Sequence, residues 1–313
     1  MALNKSTKKI LLTGSSGFLG HKLNQILFKH GHEVVAPSSK QLDLLDANSL
    51  NELSNDFDVI FHLATWTRAG SFCRERSGDQ WIVNEKINLN ILDFWMKCPR
   101  DCHLISFGTS VAYNDVLNEK AESSYLMGDP ITDYYGYSTT KRSLLYGQIS
   151  INKQYYKPYS HFIPSTIYGP EYHLDGRDLH FIYDIAKKII KHKYFSDKII
   201  LWGDGYQRRE LIYIDDVVSI LIEALDRPIN TFINIGSGNS ITIREAARTI
   251  CGILGVDNEL IEYDTNAFVG VKDKVLDITK LDELFPNRRK TNFSDGINAT
   301  LSWLKPLVKN GKI

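Results

Sequence analysis

Tyr137 and Lys141 stand four residues apart in Tyr137-Ser138-Thr139-Thr140-Lys141. On a helix that spacing puts both side chains on one face. An ammonium beside a phenol favours the phenolate and lowers its pKa toward the working range. Such a pair can take a proton from a substrate hydroxyl, or return one, while a hydride moves nearby. Tyr134 and Tyr135 have no lysine four residues on, which singles out Tyr137. The plain alternative is a surface pair. A second candidate follows the apolar run His103–Phe107, in Gly108-Thr109-Ser110-Val111-Ala112-Tyr113. A hydroxyl at the carboxyl end of a strand points into the cleft where such sheets bind ligands. Thr109 or Ser110 could therefore hydrogen-bond a reacting oxygen; otherwise it caps loop backbone.

A chemical pair of this kind needs something to hold a cofactor beside it. Gly14-Ser15-Ser16-Gly17-Phe18-Leu19-Gly20 follows the apolar run Ile10–Leu12 and opens an amphipathic pattern in which Leu19, Leu23, Ile26 and Leu27 share one side. Gly14 permits a tight turn, Gly17 leaves room for a pyrophosphate, and Gly20 lets helix and sheet pack closely. The helix start offers free N–H groups to the phosphates. The glycines recur every three residues, unlike the commoner fingerprint. The second apolar run ends in Ala36-Pro37-Ser38-Ser39-Lys40, with no acid to accept ribose hydroxyls. Ser39 and Lys40 suit a 2′-phosphate, so NADP is expected, with NAD the alternative. Asp43, with Leu44 beside it, could reach the adenine edge; a helix-capping role for Asp43 is the alternative.

These groups must be positioned by a larger frame. Apolar runs at Ile10–Leu12, Glu33–Ala36, Val59–Ala64 and His103–Phe107 alternate with helical patterns at Leu19–Lys29, Ser49–Asn55 and Trp81–Lys97. Strands alternating with helices predict an α/β fold, a Rossmann doubly wound parallel sheet. Gly31 is a plausible helix stop. Tyr137 to about Tyr155 reads as a long helix and His161–Ile163 as a strand. After Tyr168-Gly169-Pro170 the composition changes. A basic helix carries Lys187, Lys188, Lys191 and Lys193, read as a solvated face. Strands are expected at Ile199–Trp202, Glu210–Ile214 and Phe232–Ile235. Asp215 or Asp216 is expected to cap the helix running to about Leu225, and Thr242 with Glu245 forms a capping box. Residues 1–165 and 210–236 are expected to form the dinucleotide-binding lobe, and 166–209 and 237–313 a smaller α/β substrate-binding lobe.

The chain has 313 residues, with 37 basic and 37 acidic side chains. That balance gives no basic field for nucleic acid or an anionic membrane. No leader and no apolar stretch of membrane-spanning length is read in the sequence, so a cytoplasmic protein is expected. Four cysteines, Cys73, Cys98, Cys102 and Cys251, read as reduced thiols. Cys98, Cys102 and His103 cluster, but three ligands without a distant partner make a poor zinc site, and no metal is expected.

The chain resembles the extended short-chain dehydrogenase/reductases (the NAD-dependent epimerase/dehydratase family) that act on nucleotide sugars. The resemblance covers nearly the whole chain. It rests on Gly14-x-x-Gly17-x-x-Gly20, Phe61-His62-Leu63-Ala64, Gly108-Thr109-Ser110-x-x-Tyr113, Tyr137-x-x-x-Lys141, Tyr168-Gly169-Pro170 and Arg209-Glu210-Leu211-Ile212-Tyr213-Ile214-Asp215-Asp216. The similarity is greatest to the GDP-fucose synthase branch, through Trp202-Gly203-Asp204-Gly205 and Gln41-Leu42-Asp43-Leu44-Leu45-Asp46. It implies Thr109, Tyr137, Lys141 and His180 as catalytic positions. Cofactor contacts are implied at Gly14, Ser16, Gly17, Phe18, Leu19, Ser39, Asp43, Leu44, Leu63, Ala64 and Asn84, together with Tyr137 and Lys141. Ser110, Val111, Trp202 and Arg209 fall at substrate positions, Arg209 where the family often grips the diphosphate. A homodimer through the Tyr137 helix and its neighbour, and a role in polysaccharide biosynthesis, are implied likewise.

Two departures shape the expected activity. Val111 stands where the branch has a cysteine that exchanges protons beside a ketone, with His180 at the histidine position. Valine cannot exchange a proton, so two-base epimerisation is in doubt and C4 chemistry survives. The acid pair of the family's dehydratases is replaced by Ser110 and Val111, which disfavours dehydration. The expected activity is C4-keto reduction of a nucleoside-diphosphate sugar, such as a GDP-linked deoxysugar. The alternatives are a 4-epimerase with tightly held NAD and a non-catalytic dinucleotide-binding protein. His180 otherwise reads as a structural histidine, and Arg68, Arg74 and Arg76 as loop cations that could close on phosphates.

Overall fold

A computed structural model describes residues 7–68, 71–114, 120–173, 179–267 and 275–313. The first half lays down β1 (Lys9–Thr13), α1 (Phe18–Lys29), β2 (Glu33–Val35), α2 (Ala47–Asn51), β3 (Val59–His62), α3 (Phe72–Glu75), α4 (Ser77–Lys97), β4 (His103–Phe107), α5 (Tyr135–Tyr155) and β5 (Tyr159–Pro164). There follow β6 (Thr166–Tyr168), α6 (Phe181–Phe195), β7 (Ile199–Trp202), β8 (Arg208–Tyr213), α7 (Ile214–Ala224) and β9 (Thr231–Ile235). The chain ends with β10 (Ser240–Thr242), α8 (Ile243–Leu254), β11 (Ile261–Asp264), α9 (Thr279–Leu284) and α10 (Phe293–Lys309).

Six strands form one sheet in the order β2-β1-β3-β4-β5-β9. Every pairing in it is parallel. Such a sheet is covered on both faces, so its strands must be apolar throughout, and β3 and β4 are buried at every position. One core lies on the side of Leu23, Leu27 and Val217, and continues through Ile189, Ile250 and Leu301. The other holds Ile91, Trp95, Leu144 and Leu145. The α/β doubly wound fold is thus as expected. Two smaller sheets, β10-β8-β6 and β11-β7, accompany it.

Boundaries moved where tertiary contacts outweigh local pattern. The Tyr137 helix starts two residues early, at Tyr135, because the Gly136 N–H is taken by Ser77 Oγ at 3.1 Å. The capping box at Thr242 and Glu245 is present. Neither Asp215 nor Asp216 caps α7. The cap is Tyr213, and both acids fall in the first turn. Asp216 instead accepts hydrogen bonds from the N–H and hydroxyl of Thr291, at 2.8 and 2.6 Å, and so ties α7 to the approach to α10. β8 pairs with β6 and β10, while α7 returns to pack on α1, where Lys22 meets Asp215 at 3.0 Å. Among the described residues no helix is long and apolar enough to cross a membrane.

Candidate active site

The switch in strand order falls between β1 and β3, and ligands of such sheets bind there, beyond the strand ends. Gly14 has φ +73°, and a Cβ on it would lie 2.7 Å from Ala64 N. A Cβ on Gly20 would overlap the Gly14 carbonyl oxygen. The turn is thus pressed against Leu63 and Ala64, while Ser16 and Gly17 stay exposed. Ser15 Oγ donates to Ala36 O at 3.1 Å, which fastens the turn to the end of β2. The fit to a dinucleotide is good: side-chain-free backbone, a helix N-terminus behind it, and exposed Ser39 and Lys40 at the β2 end. Gly20→Ala is expected to weaken NADPH binding by at least about tenfold and to lower the melting temperature, since the clash is with backbone. Fluorescence titration with NADPH and a thermal melt check this.

A buried polar chain fixes the floor. Thr13 Oγ1 meets His62 Nδ1 at 2.9 Å, and His62 Nε2 meets Asn88 Oδ1 at 3.3 Å. Asn88 Nδ2 donates to the Thr140 carbonyl at 3.1 Å. β1, β3, α4 and α5 are joined at the residue before Lys141. Burial and the Lys141 charge hold the His62 pKa down at about 3, so this imidazole is neutral. Asn84 spends its amide on the β3 loop. Oδ1 accepts from Trp66 N at 2.7 Å and Thr65 Oγ1 at 3.2 Å, and Nδ2 donates to Trp66 O at 3.1 Å. Its place is to shape the loop that borders the cleft. Asp43 accepts from Leu45 N at 3.0 Å, and Asp46 caps α2.

Thr109 and Tyr137 come together: the Thr109 side chain lies close enough to the Tyr137 phenol to favour its ionised form. The short turn Ser110–Ala112 that carries Thr109 is clamped by α5. Ser138 Oγ donates to Val111 O at 3.1 Å, and the Arg142 guanidinium donates to Ala112 O and, at 2.6 Å, to Gly128 O. Tyr113 Oη donates to Asn234 Oδ1 at 2.7 Å. Ser138 and Arg142, which flank the Tyr137/Lys141 pair in sequence, were not read as functional; their adjacency was the available signal. Ser110 and Val111 lie half-buried on the same turn.

Lys141 is 4% exposed, its Nζ 5.7 Å from the centre of the Tyr137 ring. Burial draws its pKa down to about 8. The expected lowering of the Tyr137 pKa is not what the structure shows. Burial raises it well above the usual phenol range, the Cys73 thiol adds to this, and only the neighbouring Thr109 side chain works the other way. The cation sits over the ring face, and desolvation disfavours the phenolate.

The remaining candidates converge less closely. Arg209 is the second residue of β8, its Nη1 donating to Arg208 O at 2.8 Å, and it shares with Arg74 a favourable field on Tyr134, three residues before Tyr137. Arg76 is paired with Asp79 at 2.9 Å and Arg68 lies over Phe72. His180 is the N-cap of α6, its ring 4.9 Å from that of Phe181. Trp202, at the end of β7, is 60% exposed with Lys188 over its ring. Cys98 and Cys102 are buried, while His103 bonds Ser160 at 2.8 Å.

Fold and site together define a dinucleotide-binding α/β protein with a tyrosine–lysine pair at the strand ends. The chain belongs to the NAD dependent epimerase/dehydratase family, whose model matches residues 10–236. It is 28% identical to the GDP-L-fucose synthase of Azorhizobium caulinodans over 95% of this chain and 96% of that one. It is also 28% identical to the GDP-L-colitose synthase of Yersinia pseudotuberculosis, over 94% and 97%. Among solved structures, the NADP-bound GDP-mannoheptose C4 reductase of Campylobacter jejuni superposes with a TM-score of 0.84 at 23% identity, over 96% of this chain and 98% of that one. The UDP-glucose 4-epimerase of Thermotoga maritima does so at 0.82 and 21%, over 96% and 99%.

Proposed function

We propose that this chain is an NADP-dependent oxidoreductase that reduces the C4 carbonyl of a GDP-linked deoxysugar or related sugar nucleotide. The observation that carries this is the buried Tyr137 phenol at the strand ends, with the Thr109 side chain beside it and Lys141 over its ring. The names of the relatives support a GDP-sugar, and the exposed Ser39 and Lys40 support NADP. The bound nicotinamide supplies the hydride. Gly14, Gly17 and the start of α1 receive its pyrophosphate. Tyr137 gives its hydroxyl proton to the C4 oxygen, and Thr109 orients both groups. Lys141 supplies a positive charge beside the phenol. Arg209 faces the diphosphate. Val111 offers no proton at its position, so the carbons beside the ketone keep their configuration.

Purified protein with NADPH and GDP-4-keto-6-deoxymannose is expected to oxidise NADPH and return a product reduced at C4 without inversion at C3 or C5, read by NMR. No NADPH consumption with any GDP-linked 4-keto sugar overturns the reading. NAD that co-purifies, with no net redox change, points to the 4-epimerase instead. Lys40→Ala is expected to erode the preference for NADPH over NADH by about tenfold, as for loss of one charged hydrogen bond. Equal erosion of both cofactors' affinities counts against Lys40 as the 2′-phosphate partner.

A homodimer is part of the same proposal. Trp81 and Leu89 on α4 and Tyr135 and Tyr146 on α5 leave an apolar strip that is 47–60% exposed. Two such helix pairs would bury it against each other. Leu89→Glu is expected to give a monomer by light scattering; an unaltered mass excludes this face.

A further inference from the structure

We infer that Tyr125 is a positioning residue for the reaction: its phenol oxygen holds the Thr109 peptide, and with it the Thr109 hydroxyl, in place against Tyr137. This rests on the reading of Thr109 and Tyr137 as the reacting pair. Tyr125 follows a short turn (Glu122–Ser124) and is fully buried. The Thr109 N–H donates to its oxygen at 3.3 Å. That N–H belongs to the second residue beyond β4: the Gly108 N–H before it still donates to Phe162 O at 2.8 Å, whereas Thr109 turns to the Tyr125 oxygen. The Tyr125 ring cannot swing away. It meets Tyr113 edge-on at 5.0 Å, Phe232 at 5.9 Å, and has the Arg142 guanidinium over its face.

A second buried group lies on the same spot. A Cβ on Gly108 would sit 2.5 Å from the Tyr125 oxygen and 2.8 Å from His161 Nε2. His161 is fully buried and neutral, and its Nδ1 lies 2.7 Å from Ser106 Oγ and 3.1 Å from Gln148 Oε1. Gln148 Nε2 donates to Leu104 O, so its Oε1 is an acceptor and Nδ1 carries the proton. Nε2 is then a bare acceptor, and it has no hydrogen-bond partner. Tyr125 and His161 thus place a phenol O–H and a bare ring nitrogen on the same side of Gly108, behind the Thr109 peptide. A core tyrosine present only for its ring would not need this polar company.

Tyr125→Phe keeps the ring and removes the oxygen. We expect kcat for GDP-4-keto-6-deoxymannose to fall about fivefold, the usual scale for one neutral hydrogen bond. KM for NADPH and the melting temperature should stay put. In a Thr109→Val background the same substitution should cost less than about twofold, because it acts through Thr109. Hydrogen exchange at the Thr109 amide should quicken in Tyr125→Phe whatever the substrate proves to be. If Tyr125→Phe fails to fold, Gly108→Ala, whose Cβ crowds the same oxygen, should give the same loss of kcat and the same faster exchange at Thr109, at a lower melting temperature. A kcat within twofold of wild type, an undiminished loss in the Thr109→Val background, or unchanged exchange at Thr109 overturns the inference. Absence of turnover in the wild type sinks the proposed substrate instead, and the exchange result still decides the role of Tyr125.

Discussion

Tyr137→Phe is expected to lower turnover by about 10²- to 10⁴-fold, the range a positioned acid or base contributes. NADPH binding should stay near wild type, because the ring and the glycine turn both remain. The Tyr137 pKa lies well above the usual phenol range, so at neutral pH the group is a neutral donor. A donor suits reduction of a carbonyl, in which the new alkoxide oxygen must gain a proton. Oxidation of an alcohol would need the phenolate, which this environment disfavours until further positive charge arrives. Rates with NADPH and a GDP-linked 4-keto sugar, set beside NADPH titration of the same samples, decide the matter. Turnover within tenfold of wild type removes Tyr137 from the chemistry.

The frame was legible because its signals are local. Gly14, Gly17 and Gly20 between an apolar strand and an amphipathic helix specify a turn wherever they occur, and the alternation of strands and helices specifies a parallel sheet. Tyr137 and Lys141 were legible because helix geometry alone makes them neighbours. What escaped depends on groups far apart in sequence. The sign of the Tyr137 shift is set by burial and by Cys73, which lies 64 positions upstream on α3, and no spacing rule conveys it. The resemblance puts Asn84 beside the cofactor, and its amide also holds Thr65 and Trp66, contacts that no local pattern conveys. Asp216 carries the composition of a cap and is drawn off by Thr291 across the fold. Tyr125 sits in an irregular segment with no periodicity, so nothing in the chain announced that its oxygen reaches Thr109.

Lys141→Met is expected to make the protein more stable and much less active. Lys141 is buried, and among the described residues no carboxylate pairs with it. Its pKa falls from 10.5 to about 8, so near neutral pH the fold carries a charge it has poorly resolvated. A shift of that size corresponds to on the order of 3 kcal/mol. The sign follows from proton counting. Between about pH 8 and pH 10.5 the unfolded chain holds a proton at this site that the folded chain has released, so stability rises with pH across that window. Below it both states are protonated and the cost is constant. Methionine keeps the stem volume and removes the charge, so the variant should melt higher at pH 7, and its advantage should shrink as pH climbs through the window. Turnover should fall by at least about tenfold at pH 7, since the cation beside Tyr137 is gone. In the wild type, activity should decline as pH passes about 8 and the ammonium is lost, a limb that Lys141→Met should lack. Melting curves and kcat profiles over the same pH range test both halves. A variant no more stable than wild type at pH 7 shows that the buried charge is compensated, and a variant with full turnover shows that the cation is not needed.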